Sequence, residues 1–459
     1  MIDHTIAAIA TPLGEGGIHI IRLSGQEALS IVGGLFQAQD GTPTESLEPQ
    51  RAYFGELRDP GSGQPVDEIL LLFFRGPRSY TCEDVVEIHC HGGAWVTSRI
   101  LQLVLDAGAR IAEPGEFTRR AFLNGRLDLT QAEAVADIIH AASNQGLSSA
   151  LAQLKGKLSE RLNESYNRLL AVLSQLEVAI DFPEEGLEFE IKKELEKQVD
   201  RVQQGIDQLT GTFRQGRIFR EGLRVALVGK PNVGKSSLLN ALLQEDRAIV
   251  TPHPGTTRDV LEERVRIRDI HMVILDTAGL RHAPQPIEEQ GIARTRATLE
   301  QADLALMLFD GSQPLDDNDD LLIQEVADKS KLAVLNKSDL PQKIDATGLL
   351  NKLAVDSVVT LSAATGNGLD TLMDRIHDHA MGGRTPGQEV VITRERHRQA
   401  LEKTSQALGQ VSQSLSEDRS EDLVAVDLNM ALDHLGSLLG KTLMDDLLDR
   451  IFSDFCIGK

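Results

Sequence analysis

The chain has 459 residues and a formal net charge of −22, with 41% hydrophobic and 25% charged residues. That length exceeds one ordinary core and points to about three domains. The acidity excludes a general affinity for nucleic-acid backbone, so any nucleic acid must meet a local basic patch or a partner's surface. Three cysteines, Cys82, Cys90 and Cys456, are too few for a disulfide framework. They indicate a reducing compartment, the cytoplasm. The opening "MIDHTIAAIATPLGEGG" lacks the basic region of a secretory signal. No apolar run approaches the ~20 residues of a membrane span, so no membrane is expected.

In chain order, "IHIIRLSG", "EILLLFF" and "DVVEIHCHGG" read as strands, and "GGAWVTSRILQLVLDAG" as a helix that stops at Gly108. Residues 1–118 are an α+β domain. "LTQAEAVADIIHAAS" then opens with Thr130 and Glu133, the spacing of a capping box. Val135, Ile138, Ile139 and Ala142 share one helical face. The helical run continues to Ile180, breaks at Pro183, and resumes as an amphipathic helix from about Ile191 to Arg214. Within residues 217–384 the period changes. "LRVALVG", "HMVILDTAG", "LALMLFDG" and "KLAVLNKSD" are apolar strands separated by helical stretches, the pattern of a parallel sheet covered on both faces. From Arg394 the chain is helical again. The fold expected is a multidomain one: an N-terminal α+β domain (1–118), an all-α helical domain in two pieces (119–216 and 385–459), and an α/β P-loop domain (217–384) inserted between them.

"GKPNVGKS", 229–236, fits G-x-x-x-x-G-K-[ST] between a strand and a helix. Gly229 and Gly234 let backbone N–H groups wrap phosphates at a helix N-terminus. Lys235 would bridge the β- and γ-phosphates, and Ser236 would bind Mg²⁺. "DTAG", 276–279, ends a strand: Asp276 can hold Mg²⁺ through water, and the Gly279 N–H can meet the γ-phosphate. In "NKSD", Asp339 can accept from guanine N1–H and N2–H while Asn336 holds O6 or N7. "SAA", 362–364, would place the Ala363 N–H on O6. Adenine offers the wrong pattern, so GTP is the expected nucleotide. "GTTRD", 255–259, is the switch segment, with Thr257 a candidate Mg²⁺ ligand. The set resembles the G motifs of the translation-factor-related GTPases. GTP contacts are therefore expected from Asn232, Val233, Gly234, Lys235, Ser236 and Ser237. They continue through Thr251, Pro252, His253, Pro254, Gly255, Thr256 and Thr257, then Asp276, Thr277, Ala278 and Gly279. Asn336, Lys337 and Asp339, with Ser362, Ala363 and Ala364, complete the set.

Leu280 stands where many Ras-type GTPases carry a water-orienting Gln. The chain must position water and neutralise transition-state charge in another way. Asn232 and the backbone of "TPHPGT" could cage a monovalent cation. Equally, Asn232 could be a loop residue that stabilises its own turn.

From end to end the chain resembles the MnmE (TrmE) family of tRNA-modifying GTPases. The segments that carry this are "ATPLGEGGIHIIRLSG", "YTCEDVVEIHCHGG", "PGEFTRRAFLNGRLDLTQAEAVADII", "AIDFPEE", "GKPNVGKSSLLNALL", "GTTRDV", "DTAGLR" and "IFSDFCIGK". The resemblance implies a Ras-like, GTP-hydrolysing domain and modification of the wobble uridine (U34) of certain tRNAs at C5. It implies a (carboxymethyl)aminomethyl-type product, made with an MnmG-type flavoprotein in a heterotetramer and a 5-formyltetrahydrofolate-type one-carbon unit. It implies a homodimer formed through the N-terminal domain and a GTPase activated by K⁺ through G-domain dimerisation. Residue by residue, Asn232, Thr251, His253 and Thr256 become K⁺ ligands and Ser236 and Thr257 Mg²⁺ ligands. Glu288 becomes the catalytic carboxylate acting on the hydrolytic water. Arg22, Glu87, Arg126 and Lys459 become the folate-binding set, Arg126 standing where many relatives place Lys.

Other signals carry less. "EIHCH", 87–91, is a poor zinc site, because adjacent strand residues cannot converge on one ion. It fits strand packing beside the folate pocket. Trp95 is expected in the core or at its rim. The Arg-rich stretches 214–224 and 394–398 are either tRNA contacts or solvated helix faces. The terminal "CIGK" is a poor prenylation box, since Gly458 is not aliphatic and Lys459 is a poor final residue. Packing of "MDDLLDRIF" should instead hold Cys456 in place as a nucleophile or a positioned thiol. Two functions compete: a tRNA-modifying GTPase, and a binding switch of the ribosome-assembly type. The second needs neither a folate site nor a thiol.

Overall fold

The computed structural model describes residues 4–12, 14–181, 189–245, 263–275, 296–382, 390–417, 419–442, 445–453 and 455–459. Two compact units form. One comprises Met1–Ile139, Ala152–Gly205 and Lys403–Lys459, the other His140–Leu151 and Ile206–Glu402.

The first unit holds a seven-stranded sheet of order β3-β4-β5-β6-β2-β1-β7. Its strands are β1 (Ile6–Ile9), β2 (Ile18–Ser24), β3 (Phe36–Ala38), β4 (Ala52–Arg58), β5 (Pro65–Phe74), β6 (Val85–His91) and β7 (Arg110–Ile111). Helices α1 (Ala28–Gly33) and α2 (Ala94–Asp106) contribute Ala28, Ile31, Val32, Ile100, Leu103 and Val104 to the core of one sheet face, against Ile21, Leu23, Ile69, Leu71, Phe73, Val86 and Ile88. The apolar run in β5 is therefore not buried throughout. It alternates, because successive strand residues point to opposite faces. On the other face, Phe54, Leu70, His89 and Ile20 stand in one cross-strand row. Phe54 is 44% exposed, Leu70 43% and Ile18 64%. The next row aligns Leu72, Glu87, Arg22 and Ala8. Trp95, in the first turn of α2, is 81% exposed rather than in the core.

Helices α3 (Glu116–Leu123) and α4 (Leu129–Ile139) follow. The capping box lies two residues earlier than expected. Asp128 accepts from the Gln131 N–H at 3.0 Å, and Gln131 Oε1 accepts from the Asp128 N–H at 3.0 Å. Thr130 lies inside the helix, fully buried, with hydrogen bonds to Asp128 and Ser159. The buried face is accordingly Leu129, Ala132 and Ala136, while Ile139 is exposed. The long helical run divides into α5 (Asn144–Leu154) and α6 (Lys157–Asp181). The helix α6 packs on Glu421–Leu439. The helix expected to reach Arg214 ends sooner. It is α7 (Phe189–Thr210), followed by α8 (Phe213–Glu221). Between them, Thr212 Oγ1 donates to the Leu209 carbonyl at 2.6 Å and accepts from the Ile392 N–H at 3.1 Å.

The second unit holds a six-stranded sheet of order β13-β12-β11-β8-β10-β9. Its strands are β8 (Leu223–Val228), β9 (Glu263–Ile267), β10 (Ile270–Leu275), β11 (Leu304–Asp310), β12 (Lys331–Asn336) and β13 (Val358–Thr360). All neighbours are parallel except β9, which lies antiparallel on β10 at the edge. One face packs on α8, on α9 (Lys235–Glu245) and on the helix Leu369–Met381. The other packs on residues from Leu299, Asp317–Glu325 and Ala346–Leu353. Burial on both faces is why β11 can be apolar almost throughout.

Candidate functional site

The P-loop leaves β8 at Gly229 and enters α9 at Lys235. Gly234 has a left-handed φ of +103°, and a Cβ there would collide with the Asn336 amide nitrogen. Glycine is thus needed for both backbone shape and close approach. Lys235 Nζ donates to the carbonyls of Gly229 at 2.6 Å and Lys230 at 2.7 Å. Burial pushes its ammonium down to about 8. Lys230 pairs with Asp316 at 2.8 Å and Asp319 at 2.7 Å, which ties the loop to the capping box of the helix Asp317–Glu325. Asn232 is exposed at φ +64°, a left-handed conformation that Asn tolerates well. Its side chain makes no hydrogen bond to a described residue, so it does not brace its own turn among them. Val233 is buried, and Ser236 and Ser237 are exposed at the helix start.

The guanine-side motif is built differently from the simple expectation. Asn336 is 2% exposed. Its amide donates to the Val233 carbonyl at 2.8 Å, and its Oδ1 accepts from the Ala363 N–H at 3.0 Å. Asn336 therefore staples the P-loop to the 362–364 loop, and one amide hydrogen remains for a base acceptor. The Ala363 N–H, expected on guanine O6, is given to Asn336. Ser362 is also buried, and its Oγ accepts from the Thr365 N–H at 3.3 Å, a loop-building role. Ala364 is exposed. Lys337, at φ +63°, pairs with Asp310 at 2.7 Å. The Asp339 carboxylate is exposed and has no partner among the described residues, as a ligand for a base edge requires. Thr251, Pro252, His253, Pro254, Gly255, Thr256, Thr257, Arg258 and Asp259 lie outside the described residues. So do Asp276, Thr277, Ala278, Gly279, Leu280 and Glu288.

In the first unit, two of the four residues expected to bind folate, Arg22 and Glu87, are in direct contact, and a third, the C-terminal Lys459, lies close enough for both charges to act on its ammonium. Arg22 donates to Glu87 Oε1 through Nε at 2.9 Å and pairs through Nη2 at 2.8 Å. The sheet register sets them directly opposite each other. Glu87 Oε2 lies 3.3 Å from His89 Nε2. Arg22 Nη1 also donates to the Gly458 carbonyl at 3.3 Å. Gly458 has φ +94°, and a Cβ there would collide with the Ile9 carbonyl, so only glycine lets the tail lie this close to β1. Burial and the Arg22 charge push the Lys459 ammonium down, while Glu87 and Cys456 oppose this. The Cys456 thiol is exposed. Its carbonyl accepts from the Gly115 N–H at 3.5 Å and the Lys459 N–H at 3.3 Å, and its neighbours Phe452 and Phe455 are buried against Phe122 and Leu129. Arg126 is exposed and donates to the Tyr80 carbonyl at 2.8 Å. Sequence reasoning missed Tyr80. It is one of three tyrosines, and no spacing rule links it to Arg22 or Arg126.

Among the described residues, no cluster of three or more His, Cys, Asp or Glu could hold a metal ion. His91 turns away to pair with Asp67 at 2.6 Å, and Cys90 is buried with its thiol pushed up by burial. The Arg-rich stretches are largely engaged within their own unit. Arg217 pairs with Asp303, Arg398 pairs with Glu395 and Glu402, and Arg398 also lies over the Phe213 ring. No helix among the described residues is long and apolar enough to cross a membrane.

Residues 5–126 match the family described as the N-terminus of the GTP-binding protein TrmE, and residues 129–456 match the MnmE helical domain. The "tRNA modification GTPase MnmE" of Moorella thermoacetica is 48% identical over 100% of both chains. The protein of the same name from Natranaerobius thermophilus is 44% identical, again over 100% of both. The G domain of the T. maritima FeoB iron transporter matches 34% of this chain and 98% of its own at 29% identity, with a TM-score of 0.27. With a P-loop poised on a parallel sheet and full-length identity of this size, the chain belongs to the MnmE family of tRNA modification GTPases.

Proposed function

We propose that this GTPase drives C5 modification of the wobble uridine of certain tRNAs in the cytoplasm, using a one-carbon unit from a reduced folate. Its partner would be an MnmG-type flavoprotein, in a heterotetramer built on a homodimer. The observation that carries the reading is the meeting of Arg22, Glu87 and the C-terminal Gly458–Lys459 segment on one sheet face. An assembly switch has no use for it. A folate offers a polar pterin edge and an anionic glutamate tail. Arg22, Arg126 and Lys459 supply positive charge for the tail, and Glu87 supplies acceptors for the ring edge. Because Arg22 and Glu87 already pair, a ligand must share or exchange that contact. The exposed Cys456 thiol beside this set would act as a nucleophile or as a positioned group. The apolar row containing Phe54 and Leu70, with Ile18 nearby, supports dimerisation through the N-terminal domain, since patches of this kind mark association surfaces.

For hydrolysis, Lys235 would meet the phosphates, Asp339 the guanine, and Ser236 with Thr257 would hold Mg²⁺, which neutralises phosphate charge. Asn232, its side chain unspent on described residues, would join Thr251, His253 and Thr256 around K⁺. Glu288 would act on the attacking water. The domain division 1–118, 119–216, 217–384 and 385–459 belongs to the same proposal. Calorimetry of 5-formyltetrahydrofolate on the full-length protein tests the reading. Stoichiometric binding is expected, and its absence from a folded dimer would refute the folate role.

A further inference from the structure

We infer that Tyr80 is the positioning residue of the pocket for a pteridine with an anionic tail, its ring fixing Arg22 and Arg126 in place. This rests on the folate reading above and extends it to a residue outside the expected set. The Arg126 guanidinium carbon lies 4.7 Å from the Tyr80 ring centroid and that of Arg22 lies 5.7 Å from it. Both fall within the range of a cation–π contact. Arg126 is further tied to Tyr80 through the backbone carbonyl, at 2.8 Å. Arg22 is the group that holds both Glu87 and the Gly458 carbonyl. Arg22 also lies 5.8 Å from the Phe117 ring centroid, so it is held between two rings, of which Tyr80 is the one it shares with Arg126.

The ring is itself immobilised. Its hydroxyl is 2.9 Å from Thr118 Oγ1, and it packs against the buried group Ile6, Ala8, Ala112 and Phe117. The loop that carries it, between β5 and β6, is anchored from below. Buried Arg120 pairs with Glu83 at 2.9 Å, and Ser24 meets both Thr81 at 2.6 Å and Glu83 at 2.7 Å. Asn124 donates to the Thr81 carbonyl at 2.7 Å. An exposed arginine has many rotamers to lose on binding. A rigid aromatic that already holds it removes part of that cost before the ligand arrives.

The test is calorimetry of (6S)-5-formyltetrahydrofolate on full-length wild type, Tyr80→Leu and Tyr80→Phe, with thermal melting of each. Tyr80→Leu should weaken binding about five- to thirtyfold, the size of two cation–π contacts. Tyr80→Phe keeps the ring and should stay within about twofold of wild type, the rescue that distinguishes positioning from the hydroxyl's bond to Thr118. If Tyr80→Leu does not fold, Tyr80→Met, of similar size but with no π face, replaces it. Wild-type affinity in the Leu or Met variant would overturn the inference and leave the folate pocket standing. A Phe variant as weak as Leu would also overturn it. A wild type that binds no reduced folate overturns the pocket reading and this inference together.

Discussion

The half-buried position of Lys235 makes nucleotide affinity a function of pH. In the protein alone its ammonium rests on the Gly229 and Lys230 carbonyls and is held down to about 8 by burial. Nucleotide phosphates would restore it to the ordinary lysine value near 10.4, which strengthens binding by up to ~3 kcal/mol, roughly two-hundredfold. The protonated lysine is the binding form, so the value in the bound state is the raised one. Below pH about 8 the free protein already carries the proton, and affinity should be flat. From about 8 to 10 affinity should fall by a factor of ~10 per pH unit, levelling only where the bound lysine also titrates. Titration calorimetry of a non-hydrolysable GTP analogue, in two buffers of different ionisation enthalpy, measures both affinity and proton uptake. Uptake should be about 0.9 proton at pH 9 and near zero at pH 7. Guanine also loses its N1 proton in alkali, so Lys235→Met is the control. Equal proton uptake in wild type and Lys235→Met, or an affinity unchanged between these two pH values, would rule out Lys235 as the group that titrates.

Three further outcomes follow from particular contacts. Gly234→Ala must place a Cβ on the Asn336 amide and adopt φ +103°, at ~1–3 kcal/mol of strain. It should abolish binding of a fluorescent GDP and lower the melting temperature, and normal binding would contradict the staple. Asp128→Ala removes the α4 cap and should cost ~1 kcal/mol in denaturant unfolding of this unit; no loss would return the cap to Thr130. GTP hydrolysis should be slow in Na⁺ and fast in K⁺, and Glu288→Ala should lower kcat while GTP affinity holds. Equal rates in the two salts would exclude the potassium cage, and lost affinity would make Glu288 structural.

The parts of this molecule most legible in sequence are those where one local rule suffices. A six- or seven-residue apolar strand such as Leu304–Asp310, between helical stretches, reads directly as a doubly covered parallel strand. "GKPNVGKS" reads directly as a phosphate loop. Legibility failed where two solutions satisfy the same rule. D-x-x-Q at Asp128 and T-x-x-E at Thr130 are both capping patterns. The choice is made by Ser159, 29 residues away, which takes Thr130 into the interior. It failed again where a side chain answers to a distant loop. Asn336 reads as a base contact, and one amide hydrogen is left for that, but its other amide hydrogen and its carbonyl oxygen go to Val233 and Ala363. Tyr80 carries no motif, and its role depends on Arg22 and Arg126 arriving from β2 and from the segment after α3.

If GTP turnover by this chain serves tRNA modification, nucleoside mass spectrometry of tRNA from a deletion strain will show it. The C5-modified wobble uridine should vanish on deletion, return with the wild-type gene, and fail to return with Lys235→Ala. A modification level unchanged by deletion, or fully restored by Lys235→Ala, would contradict the account.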